Sequence, residues 1–313
     1  AELLNIIGQI EALKILNVNI FGGEPLMRKD FFAILKALSK LRIGLSLNTN
    51  GTLITKEMAR KLARSSLTAY MVSLDGSCAK VQDPFRGKGS FRKNIEGISN
   101  LIKEKSNLFI STTVTRFNYK DIENIALLGK RLGVNKVRFN DVVYTGNAAC
   151  YHDRLIMTVD EKFELLDRVR GLRSRFGSFV TGSVIQACDI MDGIRGEPKE
   201  NFPLKIYSCG AATKKCTIRP DGHVVPCTVL WETSAGDLRR QSLYDIWHNS
   251  PVMKALREPM LINEEEIPEC RGCDYLRLCY KGHRCQPYYQ PGAKFEHKKL
   301  YCWRQDVVEA KQG

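Results

Sequence analysis

The sequence predicts an α/β protein: a partial (β/α)6 TIM-like barrel lacking its first strand, over residues 1–199, followed by a small Cys-rich, cluster-binding α+β domain over residues 200–313. Three observations carry this expectation. Short apolar strands recur roughly every 25 to 40 residues with a helical stretch between neighbours, the spacing of βαβ units. Cysteine is placed unevenly, with Cys78, Cys150 and Cys188 in the first 208 residues and the other eight of eleven in the last 105. The helical periodicity of the first part fades near residue 200, where Gly, Pro and Cys become frequent.

Taken in order, Leu3 to Leu16 carries apolar residues at helical spacing and leads into a strand over Val18 to Phe21, which ends in Gly22-Gly23-Glu24-Pro25. Asp30 is placed to N-cap a helix over Phe31 to Leu41. Further strands are expected at Leu45 to Leu47, Tyr70 to Leu74, Phe109 to Val114 and Lys136 to Phe139. Helices are expected around Lys56 to Arg64, Phe91 to Lys105 (capped by Ser90) and Asp121 to Leu132. A sixth strand is expected near Phe179 to Val184, after a helix over Val159 to Arg175. Right-handed crossovers make such units a parallel sheet or barrel. Residue 1 already sits in or before a helix that feeds a strand, so the expectation is a chain truncated ahead of its first strand and βα loop. Beyond a boundary near Glu200, Asp245 to Leu256 is the one convincing helix, and few apolar residues remain to build a core without metal ligation.

An apolar content of 43% suffices for a buried core and excludes a disordered or fibrous chain. No run of 18 uncharged apolar residues and no signal-peptide pattern occurs, so a soluble, cytoplasmic protein without a membrane partner is expected. Forty-eight Lys+Arg against 34 Asp+Glu give +14, a field that suits an anionic partner. Nucleic acid is disfavoured as that partner, because the basic residues are scattered and thiolate-ligated clusters would cancel part of the excess.

Ligands of a parallel barrel gather at the C-terminal ends of its strands. Polar residues and glycines collect there: Gly22-Gly23-Glu24-Pro25, Asn48-Thr49-Asn50-Gly51, Ser73-Leu74-Asp75-Gly76, Thr113 with Thr115, and Asn140. Adjacent glycines expose backbone groups to a ligand, and an acidic side chain beside them can hold an ammonium group. Gly-Gly-Glu-Pro by itself also fits an ordinary turn; its recurrence in order with the next two loops is the specific signal. In the C-terminal part, Cys209, Cys216 and Cys227 precede a dense run of Cys270-x2-Cys273-x5-Cys279, then Cys285 and Cys302. Soft thiolates at such spacing suit zinc or iron–sulfur ligation, and eight of them make two four-ligand sites. Ile218 to Cys227 reads as a β-hairpin with an Asp221-Gly222 turn. Cys78, Cys150 and Cys188 read as small packed hydrophobes.

Phe21-Gly22-Gly23-Glu24-Pro25, Asn48-Thr49-Asn50-Gly51 and Ser73-Leu74-Asp75-Gly76 resemble successive strand ends of the radical S-adenosylmethionine (SAM) superfamily. The resemblance implies that Gly22, Gly23 and Glu24 bind the methionyl amino group of SAM. It also implies that Ser73 and Asp75 approach its carboxylate and ribose, with Thr113 near the ribose. Asp83 to Phe91 resembles a loop placed near the substrate, where Arg86 would pair with a substrate carboxylate or else lie in a solvated loop. The cysteine order is similar to the SPASM extension, which implies two auxiliary 4Fe-4S clusters. Cys209, Cys216, Cys227 and Cys285 would hold the first, and Cys270, Cys273, Cys279 and Cys302 the second.

The sequence departs from that pattern in two places. Five residues separate Cys279 from Cys285 where the family has three, which puts His283 at the usual ligand position as an alternative. A third 4Fe-4S cluster requires Cys-x3-Cys-x2-Cys, a spacing that does not occur in the 313 residues, so the chain as given is expected not to cleave SAM. The implied function is a maturase that abstracts hydrogen from a peptide or protein substrate through a 5′-deoxyadenosyl radical. Its implied partners are a leader-binding protein and an electron donor such as ferredoxin or flavodoxin. Haem or quinone cofactor biosynthesis, a catalytically inactive iron–sulfur scaffold and a zinc-ribbon nucleic-acid binder stand as alternatives. Sulfatase maturation is disfavoured, because Thr228 follows Cys227 where those enzymes place an Asp.

Overall fold

A computed structural model describes residues 2–142, 147–185 and 210–261. They fall into two compact units, one taking in residues 3–142 and 153–185, the other residues 147–152 and 210–261. The boundary expected near Glu200 lies outside the described residues.

The first unit repeats one motif. After α1 (Glu2–Ala12) come β1 (Asn17–Ile20), α2 (Phe31–Leu38), β2 (Gly44–Thr49), α3 (Lys56–Ala63) and β3 (Ala69–Ser73). Then follow α4 (Ala79–Arg86), α5 (Ser90–Lys103), β4 (Leu108–Val114), α6 (Ile122–Leu132) and β5 (Lys136–Asp141). After α7 (Asn147–Cys150), which belongs to the second unit, α8 (His152–Leu155) precedes α9 (Val159–Phe176) and β6 (Val180–Thr181). The six strands form one parallel sheet in sequence order, as βαβ units with short connections require.

Strand alternation divides that sheet into two unlike faces. Leu45, Leu47, Tyr70, Val72, Leu108, Ile110, Val137 and Phe139 point to one side and are buried with Ala59, Leu62, Ile98, Leu101, Ile122 and Ile125 from the helices. Each Leu, Ile, Val or Phe among them contributes roughly 1.5–3 kcal/mol on leaving water. The other face carries half-buried Asn48, Met71, Ser73, Ser111, Thr113, Arg138 and Asn140. Helix starts follow local chemistry: Thr55 accepts the Met58 N–H at 3.2 Å, and Thr158 with Glu161 forms a capping box at the head of α9.

Several local expectations are corrected. Asp30 stands at the N-cap position of α2 but makes no capping bond, because its carboxylate pairs with Arg28 at 2.6 Å. Residues 79–86 form α4, where a loop was expected around Asp83 to Arg86. Its Asp83 caps the next helix in place of Ser90, accepting the N–H groups of Gly89 (2.7 Å) and Phe91 (2.9 Å). Strand β6 is two residues long, since residues 183–185 already turn helical. Cys78 and Cys150 are exposed rather than packed, and Cys188 lies outside the described residues.

In the second unit, β7 (Thr217–Ile218), β8 (His223–Val225) and β9 (Gly236–Asp237) make an antiparallel sheet. The expected hairpin is present, closed by the Arg219 N–H on the His223 carbonyl at 2.8 Å, with Gly222 in the left-handed region at φ +82. The single helix expected over Asp245 to Leu256 is two, α10 (Leu243–Asn249) and α11 (Pro251–Leu261). Pro251 has no N–H to continue α10 and instead starts α11, where a proline is well tolerated. Arg257 of α11 stacks on Trp247 at 4.7 Å and donates to the carbonyls of Trp247 and Ala212, both at 2.6 Å. The Ala212 bond ties α11 to the turn at Gly210–Lys215.

Candidate functional site

The loops that leave the C-terminal ends of β1, β2, β3 and β4 are tied to one another by side chains. Glu24, after β1, is the first tie. Its Oε1 accepts the Leu26 N–H at 3.1 Å and the Thr49 hydroxyl at 2.8 Å, and its Oε2 accepts the Asn50 N–H at 2.7 Å. A carboxylate offers about four acceptor positions, so among the described residues one on Oε2 is left unfilled.

The glycines before Glu24 stand in open space. A Cβ built on Gly22 or Gly23 would meet nothing within 4 Å, and neither residue has a positive φ. The fold therefore makes no demand for glycine at either position. Gly51, in the next loop, is the contrary case: its φ is +76, and a Cβ would lie 2.7 Å from Cγ1 of Val72. Asn50 folds that loop into an Asx turn, its Oδ1 accepting the Thr52 N–H at 2.9 Å and hydroxyl at 2.7 Å.

Asn94 was not singled out in the sequence, yet it holds two of these loops together. Its side chain on α5 is buried, and Nδ2 donates to the carbonyls of Asn50 and Ser73, both at 2.6 Å. The available signal was a polar residue on the apolar face of a helix, one turn before Ile98.

Asp75 is turned into the protein. It is 1% exposed; Oδ1 accepts the Thr113 N–H at 2.7 Å and Oδ2 accepts from Arg86. Arg86 thus meets an internal carboxylate, where a substrate carboxylate had been one expectation. The Asn118 amide completes the junction by donating to the carbonyls of Asp75 (2.9 Å) and Thr113 (2.8 Å). Ser73 and Thr113 themselves are half-buried on the polar face, one strand apart in the sheet.

Of the eight C-terminal cysteines, Cys216 and Cys227 are described; Cys209, Cys270, Cys273, Cys279, Cys285 and Cys302 lie outside the described residues, as does His283. Cys216 precedes β7 and burial pushes its thiol up to about 11, while Cys227 follows β8 and is 6% exposed. Cys227 is buried and Cys216 half-buried; a soft metal held there would displace the thiol protons and remove the penalty of a bare thiolate. Among the described residues no group of three or more metal-ligating side chains forms. Among them too, no helix is long and apolar enough to cross a membrane.

Comparison with known proteins is consistent along the chain. The family model for the radical SAM superfamily matches residues 1–129, and that for the SPASM iron–sulfur cluster-binding domain matches residues 209–274. The mycofactocin maturase MftC of Mycolicibacterium smegmatis is 30% identical over 282 residues, covering 89% of this chain and 68% of that protein. An AdoMet-dependent heme synthase of Methanosarcina barkeri is 30% identical over 295 residues, covering 90% of this chain and 80% of that one. The structure of anSMEcpe with bound AdoMet and Cp18Cys peptide superposes with a TM-score of 0.73 at 19% identity, over 99% of this chain and 87% of the other. That superposition concerns the fold.

Proposed function

The chain belongs to the radical SAM superfamily and carries its SPASM extension, and from that premise we propose that it is a maturase acting on a peptide or protein substrate. The observation that carries the reading is the pairing of two glycines the fold does not require with a carboxylate that retains one unfilled acceptor position. Together they suit an ammonium group held on Glu24 with the rest of a methionyl chain passing over Gly22 and Gly23.

In this reading Ser73 and Thr113, on neighbouring strands of the polar face, approach the carboxylate and ribose of SAM. Asp75 acts by holding the Thr113 backbone in place. Bound beside a reduced 4Fe-4S cluster, for which these 313 residues carry no Cys-x3-Cys-x2-Cys, SAM would supply a 5′-deoxyadenosyl radical that abstracts a hydrogen atom; the chain as given is inactive in this reading. The chain's own residues orient SAM and present thiolates.

The assignment of residues 1–199 to the barrel and 200–313 to the extension goes with this reading. So does the division of cysteines into two auxiliary 4Fe-4S sites, one of Cys209, Cys216, Cys227 and Cys285 and one of Cys270, Cys273, Cys279 and Cys302. Auxiliary clusters held by these cysteines would ligate substrate or pass electrons drawn from a ferredoxin- or flavodoxin-type donor, and a leader-binding protein would deliver the peptide. A second reading, haem biosynthesis, is favoured by the similarity to the heme synthase over 80% of that protein's length.

Equilibrium dialysis of the chain with labelled SAM, together with anaerobic iron and sulfide analysis, tests the proposal. Saturable SAM binding and about eight irons per chain are expected. Zinc in place of iron, or no SAM binding, sinks it. A substrate peptide against a tetrapyrrole, compared as ligands, separates the two readings.

A further inference from the structure

The first turns of α3, α6 and α9 carry Glu57, Glu123 and the pair Asp160 and Glu161. Negative charge at a helix head meets the positive end of the helix dipole and stabilises the helix. The first turns of α4 and α5 carry no acid. They hold cations instead, Lys80 in α4 and Arg92 with Lys93 in α5, and Lys88 stands just ahead of α5. Charge of this sign works against both dipoles, so the local physics of the two helices does not account for it.

The four cations form an open surface. All are exposed, and none makes an ion pair among the described residues. The aspartates around them are turned inward: Asp75 takes Arg86, Asp83 takes the N–H groups of Gly89 and Phe91, and Asp121 takes Ser77. Glu96 is exposed on α5 but pairs with none of the four. Arg28, Arg116 and Lys120, on the loops after β1 and β4, are the contrary case, each facing a carboxylate. Beside the free cations Phe85 of α4 is 38% exposed, its ring against the Arg86 guanidinium at 5.6 Å. An aromatic anchor with unpaired charge around it has the anatomy of a docking surface for a protein of opposite charge.

We infer that this α4–α5 surface docks an acidic one-electron carrier protein of flavodoxin or ferredoxin type. The inference rests on the radical SAM reading, because reductive cleavage of SAM takes one electron from outside the chain. Placement favours that occupant. Helix α4 begins four residues after Asp75, and its Arg86 returns to the Asp75 carboxylate, so the surface is built on the loop that carries Ser73. A small charged contact with one apolar anchor also suits a partner that must leave after each delivery. Nucleic acid fits less well, since one exposed ring gives no succession of platforms on which bases could stack.

The test measures binding of oxidised flavodoxin and of oxidised ferredoxin to the full 313-residue chain by isothermal titration, at about 50 mM and about 500 mM salt. Lys80→Glu/Arg92→Glu removes the surface charge. Acid at those positions suits the helix heads, so the variant should melt no lower than the parent, and weaker binding is then a loss of docking. Lys40→Glu/Lys105→Glu makes the same change of net charge at the opposite end of the sheet. At low salt the first pair should raise the Kd of the bound carrier about tenfold or more and the second pair less than about twofold, with the difference shrinking at high salt. Phe85→Ser should raise it about threefold or more at both salt concentrations. The inference is overturned if neither carrier binds, or if both charge pairs weaken binding alike, since net charge alone would then explain it. It is also overturned if a DNA duplex binds more tightly than either carrier and loses its affinity in Lys80→Glu/Arg92→Glu. SAM binding is read separately by dialysis: a chain that binds no SAM fails the parent reading, and a SAM-binding chain whose carrier affinity ignores Lys80 and Arg92 fails this one alone.

Discussion

Oε2 of Glu24 accepts the backbone N–H of Asn50 at 2.7 Å, so one side chain joins the loop after β1 to the loop after β2. The same carboxylate takes the Thr49 hydroxyl at 2.8 Å, which leaves its ligand-facing capacity defined by the chain before any ligand arrives. Glu24→Ala should therefore lower SAM affinity about tenfold or more and also cost about 1–3 kcal/mol of stability, because donors at Thr49 and Asn50 lose their acceptor. Dialysis and denaturant unfolding measure the two effects independently. A loss of stability with unchanged SAM affinity would contradict the assignment.

Gly22→Ala and Gly51→Ala should separate binding from folding. The first adds a methyl in open space at an ordinary backbone conformation, so thermal stability stays within about 0.5 kcal/mol of the parent while SAM affinity falls. The second forces a Cβ onto Val72 at positive φ and should destabilise by about 1–3 kcal/mol. Melting curves recorded with and without SAM distinguish them: Gly22→Ala should lose the SAM-induced rise in Tm.

Asp75→Asn should act through structure. It leaves Arg86, whose side chain is 34% exposed, without its counter-charge and weakens the acceptor of the Thr113 N–H; a cost of about 1–3 kcal/mol is expected, below that of a fully buried pair. A double-mutant cycle with Arg86→Gln should return a coupling of at least about 0.5 kcal/mol. A coupling near zero would mean that the two side chains act independently.

The Asp83 carboxylate accepts N–H groups at the head of α5, chiefly those of Phe91 and Gly89, and these bonds hold it below the usual carboxylate range. A depressed folded-state value means a contribution present above the unfolded value, near 4, and lost as pH falls through the lower folded value. The parent chain and Asp83→Ala should therefore differ in Tm at pH 7 and converge as pH falls below about 4. Tm values for both, measured from pH 7 to pH 2.5, check this; a gap that persists at the acid end would argue against it.

Strand order and the positions of the site loops were legible because they rest on local pattern. Alternating burial in Gly44–Thr49 and Leu108–Val114 and the glycine-rich strand ends are visible in a single sequence. The pairs that hold the loops were not. Asp75 with Arg86, Asn94 with two carbonyls and Asp83 with the head of α5 are choices among many possible polar partners, decided only when helices pack on the sheet. Helix α4 was missed because Pro84 inside it reads as a helix breaker. The break at Pro251 was readable by that same rule and was overridden by apolar periodicity on both sides.

The Asn94 amide, which donates at once to the Asn50 and Ser73 carbonyls, has a consequence for motion. Two loops on different strands share one fulcrum on α5, and Gly97, one turn further along that helix, lies so close to the Gly51 carbonyl that a Cβ there would be 2.2 Å from the oxygen. Neither loop can swing without levering the helix. The two strand ends thus breathe in phase or hold still together, and the geometry offered to a ligand is set by the stiffness of a helix rather than by the looseness of its loops.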